Sequence, residues 1–321
     1  MLYGKIYHYI FDVFGKIMAN KKPRYKSSGI KIEENQPYVE NSDLSFDIFY
    51  PEGSKEKLPV IFVVHGGGYV SGHKGQTTSY SSILAEHGFC VINMEYTKCD
   101  GKEKKYFANI VDEFYKMFDN VRQNEKFAKI MDFDRVFLAG DSAGAHVVTM
   151  IANIQTNEKL KKYKDENLKI KGLVLVSPYL GLKQCKVLSN FGLRKILYGM
   201  EDKRDINDTA FNFITEKFPP AIVLGAKNDF VAFAHENRLY KLAKIKNLCL
   251  KYYLSKTGFK VFHDAVVRFP FYYENNIEKI VDFCKNIDSI EKTTTKEIIH
   301  EKLPKRDKNN NPEKTIVSEK E

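Results

Sequence analysis

The chain lacks three things that would each have narrowed its function at once: a long hydrophobic run, paired cysteines and an arginine-rich surface. No stretch reaches the roughly 18 consecutive apolar residues of a membrane-spanning helix, and the longest apolar runs are strand-sized, so a bilayer-crossing segment is not expected. The cysteines Cys90, Cys99, Cys185, Cys249 and Cys284 are scattered singly with no Cys-x-x-Cys pair. That argues against a disulfide framework and against a cysteine-based metal site, and for a reducing compartment. The opening residues MLYGKIYHYIFDVFGKIMANKK have no compact apolar core followed by a small-residue cleavage site, and so make a poor signal peptide. Cytoplasm is the expected location. The formal charge of +10 comes mostly from lysines interleaved with acids. Arginine, the better bidentate partner of phosphate and guanine, is scarce, and no basic-aromatic binding motif occurs, so nucleic acid is not an expected partner.

What is present is enough apolar material, 43% of 321 residues, for one large core or two ordinary ones. From about residue 59, short apolar runs alternate with longer polar-periodic segments. The runs LPVIFVV, GFCVINMEY, DRVFLAG, IKGLVLVSP, PPAIVLGA and LCLKYYLSK read as nearly continuous buried strands, which a parallel sheet covered on both faces requires. Between them, YFANIVDEFYKMFDNVRQ places Phe107, Ile110, Val111, Phe114 and Phe118 on one helical side. Strand and helix in alternation predict an α/β chain with a mostly parallel, doubly wound sheet. Upstream, the period-two pattern of QPYVENSDLSFDIFYPEG predicts one or two antiparallel strands extending that sheet.

Three segments fall outside this rhythm. Residues 1–40 are read as an amphipathic helix and lead-in, since Tyr3, Ile6, Tyr7, Ile10, Phe14, Ile17 and Met18 recur at helical spacing. Nearby Lys16, Lys21, Lys22 and Arg24 leave two readings of residues 1–22, a cap on the domain or a peripheral contact with anionic lipid. Residues 41–290 form the expected catalytic domain, with a helical insertion at about 180–215 lying over the strand ends as a cap or lid. Residues 291–321 are charged and asparagine-rich, and are expected to be disordered.

Within the regular part, RVFLAGDSAGAHVVTM runs an apolar strand into Gly-x-Ser-x-Gly and then into a helix-like segment. A serine at such a sharp turn has its hydroxyl pushed into the open, and the following helix N-terminus favours a developing anion. One crossover earlier, the strand LPVIFVV ends in His65-Gly-Gly-Gly-Tyr69. Successive glycines let amide N–H groups face a shared point where a tetrahedral oxyanion could sit. His65 is read as ordering this loop by hydrogen bonding. His8, His73, His87, His146 and His300 carry no assigned role.

HGGGYVSGHK followed by GDSAG resembles the α/β-hydrolase esterases of the hormone-sensitive-lipase-like and bacterial acetyl-esterase type. LVLVSPYLGL, FPPAIVLGAKNDFV and GFKVFHDAV are similar to later blocks of that family, so the resemblance covers about 59–285. It implies the α/β-hydrolase fold with helical cap or lid segments, and a family order of Ser, then Asp or Glu, then His. Ser142 matches the nucleophile, Asp229 the acid and His263 the general base, with Glu236 as an alternative acid and His235, read as a surface helix residue, as a rival base. Asp141 is fixed inside the elbow, and Asp264 should point away. By the same resemblance, the amides of Gly67, Gly68 and Ala143 form the oxyanion hole.

The implied reaction is hydrolysis of small-molecule carboxylic esters with small or medium acyl groups through an acyl-enzyme, with no cofactor and no metal. One element departs from the family. Where it carries Tyr-Arg-Leu-Ala-Pro, this chain has MEYTKCDGKEKKYF, in which only Tyr96 survives. Feruloyl-esterase-like and kynurenine-formamidase-like branches share the glycine loop and elbow, so an amidase or arylformamidase with the same triad remains open. So does a non-catalytic binding module on a hydrolase scaffold.

Overall fold

A computed structural model describes residues 29–99, 105–181, 206, 209–257, 262–290 and 299–302. The expected N-terminal helix at 1–22 lies outside the described residues, as does most of the 180–215 insertion, with its Phe191 and Tyr198.

Among the described residues, nine strands form one sheet in the order β1-β2-β4-β3-β5-β6-β7-β8-β9. β1 (Ile30–Pro37) and β2 (Ser45–Pro51) are the antiparallel extension; β2 pairs with β4 (Cys90–Met94), again antiparallel. β3 (Leu58–Val64), β5 (Met131–Asp141), β6 (Ile170–Val176), β7 (Ala221–Ala226) and β8 (Leu250–Thr257) continue the sheet with every pairing parallel. All six apolar runs named above are strands, so the doubly wound reading holds.

Their unbroken apolar character has a direct cause in the packing. Alternate residues of a strand point to opposite faces. Val60, Phe62 and Val64 of β3 join one core layer, with Val136, Leu138, Leu173 and Leu175, while Ile61 and Val63 join the other, with Phe137, Ala139, Val174 and Val176. Helices α2 (Phe107–Gln123), α4 (Ala143–Thr156) and α5 (Phe233–Lys246) supply side chains to the first layer. Helices α1 (Thr78–Glu86), α6 (Ala265–Arg268) and α7 (Glu274–Lys285) supply the second. The short α3 (Glu125–Ile130) leads into β5. Side chains cover both faces of the central strands, so the runs that form them are mostly apolar, and the buried exception Asn93 of β4 accepts the Ser81 hydroxyl.

Two expected boundaries are corrected. The sheet begins at Ile30 rather than at about 41, because β1 satisfies the outer edge of β2. The tail from 291 is not wholly outside the fold, for Ile299–Lys302 forms β9, parallel to β8. An exposed strand edge offers a row of unpaired N–H and C=O groups, and even a short polar strand can pair with it.

The chain leaves β3 for β4 on one side and then returns to β5 on the other side of β3. At such a reversal the loops at the carboxyl ends of the two strands diverge and leave a crevice. The glycine loop follows β3 and Ser142 follows β5, so both open into it.

Candidate active site

Ser142 joins the end of β5 to α4 with φ 50° and ψ −117°, a backbone region that a residue with a side chain occupies only when its surroundings hold it there. Two hydrogen bonds do so: Ser142 N–H donates to the Val176 carbonyl at 3.0 Å, and Tyr179 N–H donates to the Ser142 carbonyl at 3.1 Å. The turn also demands close approach. A Cβ on Gly144 would lie 2.0 Å from the Val64 carbonyl oxygen, and one on Gly140 would lie 2.5 Å from the Gly144 carbonyl carbon.

The glycine loop sits directly against this elbow. Gly66 N–H donates to Asp141 Oδ1 at 2.9 Å, and a Cβ on Gly66 would come within 3.0 Å of Ser142 Cβ. Asp141 thus ties the loop to the elbow, in keeping with its exclusion as an orienting acid. Gly67, at φ 125°, turns the chain, and its carbonyl is held by Ser71 N–H at 3.0 Å and Ser71 Oγ–H at 2.8 Å. Ala143 opens α4, where the first N–H groups have no acceptor inside the helix.

Behind the loop lies a network that sequence reasoning missed. His65 Nδ1 lies 2.6 Å from the Gly66 carbonyl and so donates to it, which leaves Nε2 to accept from Lys98 Nζ at 2.9 Å. Burial, with the Lys98 charge adding to it, holds His65 below the usual histidine range and keeps it neutral. Tyr96 stacks on His65 at 4.2 Å and donates its hydroxyl to the His65 carbonyl at 3.0 Å. Lys98 stands 3.8 Å from the Tyr96 ring centroid and pairs with Glu95, whose other oxygen accepts Lys74 N–H at 2.9 Å. The stretch MEYTKC, which departs from the resembled family, is therefore the scaffold of the glycine loop. The legible signal was its place at the end of β4, beside the loop strand. His146, given no role from sequence, pairs through Nδ1 with the hydroxyl of Tyr69 at 2.8 Å, anchoring the far end of the loop to α4.

Asp229 follows β7. Its Oδ1 accepts Val231 N–H at 2.9 Å and Ala232 N–H at 2.8 Å, and its Oδ2 meets His263 Nδ1 at 2.8 Å. His263 Nε2 lies 2.8 Å from Ser142 Oγ. The structure therefore brings together the three residues expected as nucleophile, acid and base, from the ends of β5, β7 and β8. Burial alone would raise the Asp229 carboxyl, but the bonds from His263 and the Ala232 N–H hold it below the usual carboxylate range. Ser177, at the end of β6, joins the array unforeseen: its hydroxyl bonds Asp229 and accepts Asp264 N–H at 3.1 Å.

The alternatives lie elsewhere. Glu236 is fully buried, accepts the Tyr252 hydroxyl at 2.7 Å, and is pushed up to about 8 by burial; no bond to His263 is formed. His235 is not on the surface as expected. It is buried, accepts Leu180 N–H at 3.2 Å, and packs against Tyr179 and Phe211. A second correction concerns Asp264. Rather than pointing away, its Oδ2 lies 3.3 Å from His263 Nε2, because the residue adopts φ 58° and folds back over the imidazole. Of the insertion, both ends are described: Ala210 N–H and Thr209 Oγ–H donate to the Leu180 carbonyl at 3.1 and 2.8 Å, clamping them together. Phe211 is buried against His235 and belongs to the core.

The sheet order, the elbow and the glycine loop define an α/β hydrolase. The BD-FAE family model matches residues 46–242, more than half the chain, and the chain belongs to that family. Among curated proteins it is similar to a probable carboxylesterase 1 of Arabidopsis thaliana, 28% identical over 167 residues, which cover 46% of this chain and 49% of that protein. The matched stretch thus spans about half the length of that relative. Among solved structures it is similar to esterase B of Lactobacillus rhamnosis, with a TM-score of 0.75 at 18% identity, covering 86% of this chain and 91% of that one. It is also similar to the propionate-bound Est2 esterase of Thermogutta terrifontis, with a TM-score of 0.63 at 19% identity, covering 83% and 97%. Both structures share its fold.

Proposed function

We propose that the protein is a serine hydrolase that cleaves carboxylic esters of small or medium acyl groups through an acyl-enzyme. The observation that carries this reading is the unbroken line Ser142 Oγ, His263, Asp229, with both contacts at 2.8 Å, on a strained elbow beside a glycine turn. A serine hydroxyl is a poor nucleophile until a base removes its proton, and the base must be held in one tautomer by an acid. Asp229 on Nδ1 does the second task and leaves Nε2 facing the serine.

Ser142 Oγ attacks the ester carbonyl carbon while its proton passes to His263 Nε2. The resulting oxyanion is met by the N–H groups of Gly67, Gly68 and Ala143. Collapse breaks the carbon–oxygen bond of the leaving group, which takes the proton from Nε2 and departs as the alcohol. Water then attacks the acyl-enzyme, gives its proton to His263, and releases the carboxylic acid as Ser142 is restored. The family, the names of its curated relatives and the propionate in the Est2 esterase support ester cleavage with a short acyl group. Cytoplasmic residence is part of the same proposal. Among the described residues, no helix is long and apolar enough to cross a membrane.

The test is labelling by a fluorophosphonate together with turnover of a p-nitrophenyl ester series and of N-formylkynurenine. Labelling and short-chain ester turnover, both abolished in a folded Ser142→Ala variant, are expected. Turnover retained in that variant overturns the reading, faster N-formylkynurenine cleavage replaces it with an arylformamidase, and no labelling leaves a binding module.

A further inference from the structure

His263 is flanked by two carboxylates, not one. Asp229 holds Nδ1, and Asp264 Oδ2 lies 3.3 Å from Nε2, the nitrogen that also meets Ser142 Oγ. Asp264 is placed there by its backbone: φ 58°, with its N–H donated to Ser177 Oγ at 3.1 Å. Its side chain is buried, and Oδ1 has no hydrogen-bond partner among the described residues. Among the described residues, the charged and polar groups that meet it come from several elements. Arg268 on α6 stands 3.6 Å from Oδ2, Ser177 ends β6, Asp141 and Ser142 come from the elbow, and Asp229 follows β7.

We propose that Asp264 is a positioning residue that holds the protonated form of His263 and so sets the pH above which His263 can take the serine proton. This rests on the hydrolase reading given above. The chemistry follows from counting lone pairs. With Nδ1–H committed to Asp229, a neutral imidazole has one lone pair on Nε2, and Ser142 must donate to it. An ionised Asp264 puts a second electron-rich atom beside that lone pair, an arrangement that is favourable only when Nε2 carries a proton. With Asp264 ionised, the pair rests as carboxylate and imidazolium, and the serine cannot transfer its proton until the one on Nε2 is lost. In return, the imidazolium that forms on each serine attack is stabilised from both sides. The shift of His263 has the same direction. Burial would lower His263, yet Asp264 and Asp229 outweigh it and leave the group above its ordinary value, while Arg268 opposes them. Asp264 itself is pushed up, chiefly by burial.

The experiment is the pH profile of kcat/KM for a p-nitrophenyl ester, with the pH-dependent rate of fluorophosphonate labelling as a substrate-independent readout. Asp264→Asn keeps the size of the side chain and tolerates a positive φ. It should move the acid limb down by at least one pH unit, so that below the wild-type limb it reacts about tenfold faster than its plateau ratio to wild type would give, while its plateau kcat falls. Arg268→Gln should move the limb the opposite way, because removing a cation favours retention of the proton. A merely structural Asp264 would lower activity at every pH and leave the limb where it is, and that result overturns the proposal. If Asp264→Asn does not fold, Asp264→Gly removes the same carboxylate at a backbone angle glycine accepts. If neither folds, an unmoved limb in Arg268→Gln is the overturning result. Ser142→Ala and His263→Ala are run alongside. Their activity, if retained, defeats the hydrolase reading itself, whereas their inactivity with an unmoved Asp264→Asn limb defeats only this inference.

Discussion

In the proposed mechanism a hydroxyl, an imidazole and three amides act together only if each is held to within about 0.5 Å, and much of that holding falls to residues with no part in the chemistry. Glu95 is the clearest case. It receives Lys74 N–H and Lys98, and Lys98 in turn fixes Nε2 of the histidine that braces the glycine loop. Glu95→Gln keeps the shape and loses the charge that holds Lys98, so the loop amides drift. A displacement of about 1 Å can cost roughly 100-fold in rate, so kcat should fall about 10- to 100-fold with KM nearly unchanged. Steady-state kinetics with a p-nitrophenyl ester checks it, and an unaltered kcat would show that the loop holds without the network. Glu236 is a residue of the opposite kind, a carboxyl kept neutral by burial and raised from 4.5 to about 8. Between those values the folded protein binds a proton that the unfolded chain has released, so stability falls as pH rises from about 4.5 to about 8. Glu236→Gln retains an acceptor for the Tyr252 hydroxyl and has no proton to lose. Its melting temperature should gain on that of the wild type across this window, as thermal unfolding at several pH values will show.

At the scale of elements, the strand-to-helix elbow depends on how nearly α4 approaches β3. The missing side chain of Gly144 is what allows it, since a Cβ would stand 2.0 Å from the Val64 carbonyl oxygen. That oxygen belongs to a central strand paired on both sides and cannot retreat. Gly144→Ala should therefore cost roughly 1–3 kcal/mol of overpacking and also tilt Ser142 away from His263. Lower melting temperature with a disproportionate loss of kcat is expected, and a variant of normal stability would refute the close-approach argument. The strands themselves were legible because burial on both faces leaves the central residues of the six runs mostly apolar. β1 was read too late in the chain because IKIEENQP is polar at an exposed edge, and β9 was not foreseen because four residues at the other edge carry almost no hydrophobic pattern.

For the molecule as a whole, the proposed active-site groups come from β3, β5, β7 and β8 and the turns that follow them, so the edges can be altered without touching them. Ending the chain after Ile290 removes β9 and leaves the outer edge of β8 unpaired. Each kcal/mol lost shifts the melting temperature of a chain of this size by roughly 1–2 °C. A fall of a few degrees with kcat/KM intact is expected, measured by thermal unfolding and ester turnover, and an unchanged melting temperature would mean that β9 adds nothing.

The sequence by itself determined the doubly wound sheet, the elbow at Ser142 and the glycine loop, because these are written in local patterns of apolar runs and glycine spacing, while the order of serine, acid and base was implied by the resemblance to the esterase family. Only the tertiary structure decided what meets across the crevice. It placed Asp229 rather than Glu236 on the imidazole, buried His235 in the core, set Glu95, Lys98 and Ser177 behind the reacting groups, and turned Asp264 back onto Nε2. Those contacts join residues up to 121 positions apart and depend on side-chain direction at the ends of neighbouring strands. Sequence spacing does not carry that information until the sheet order is known.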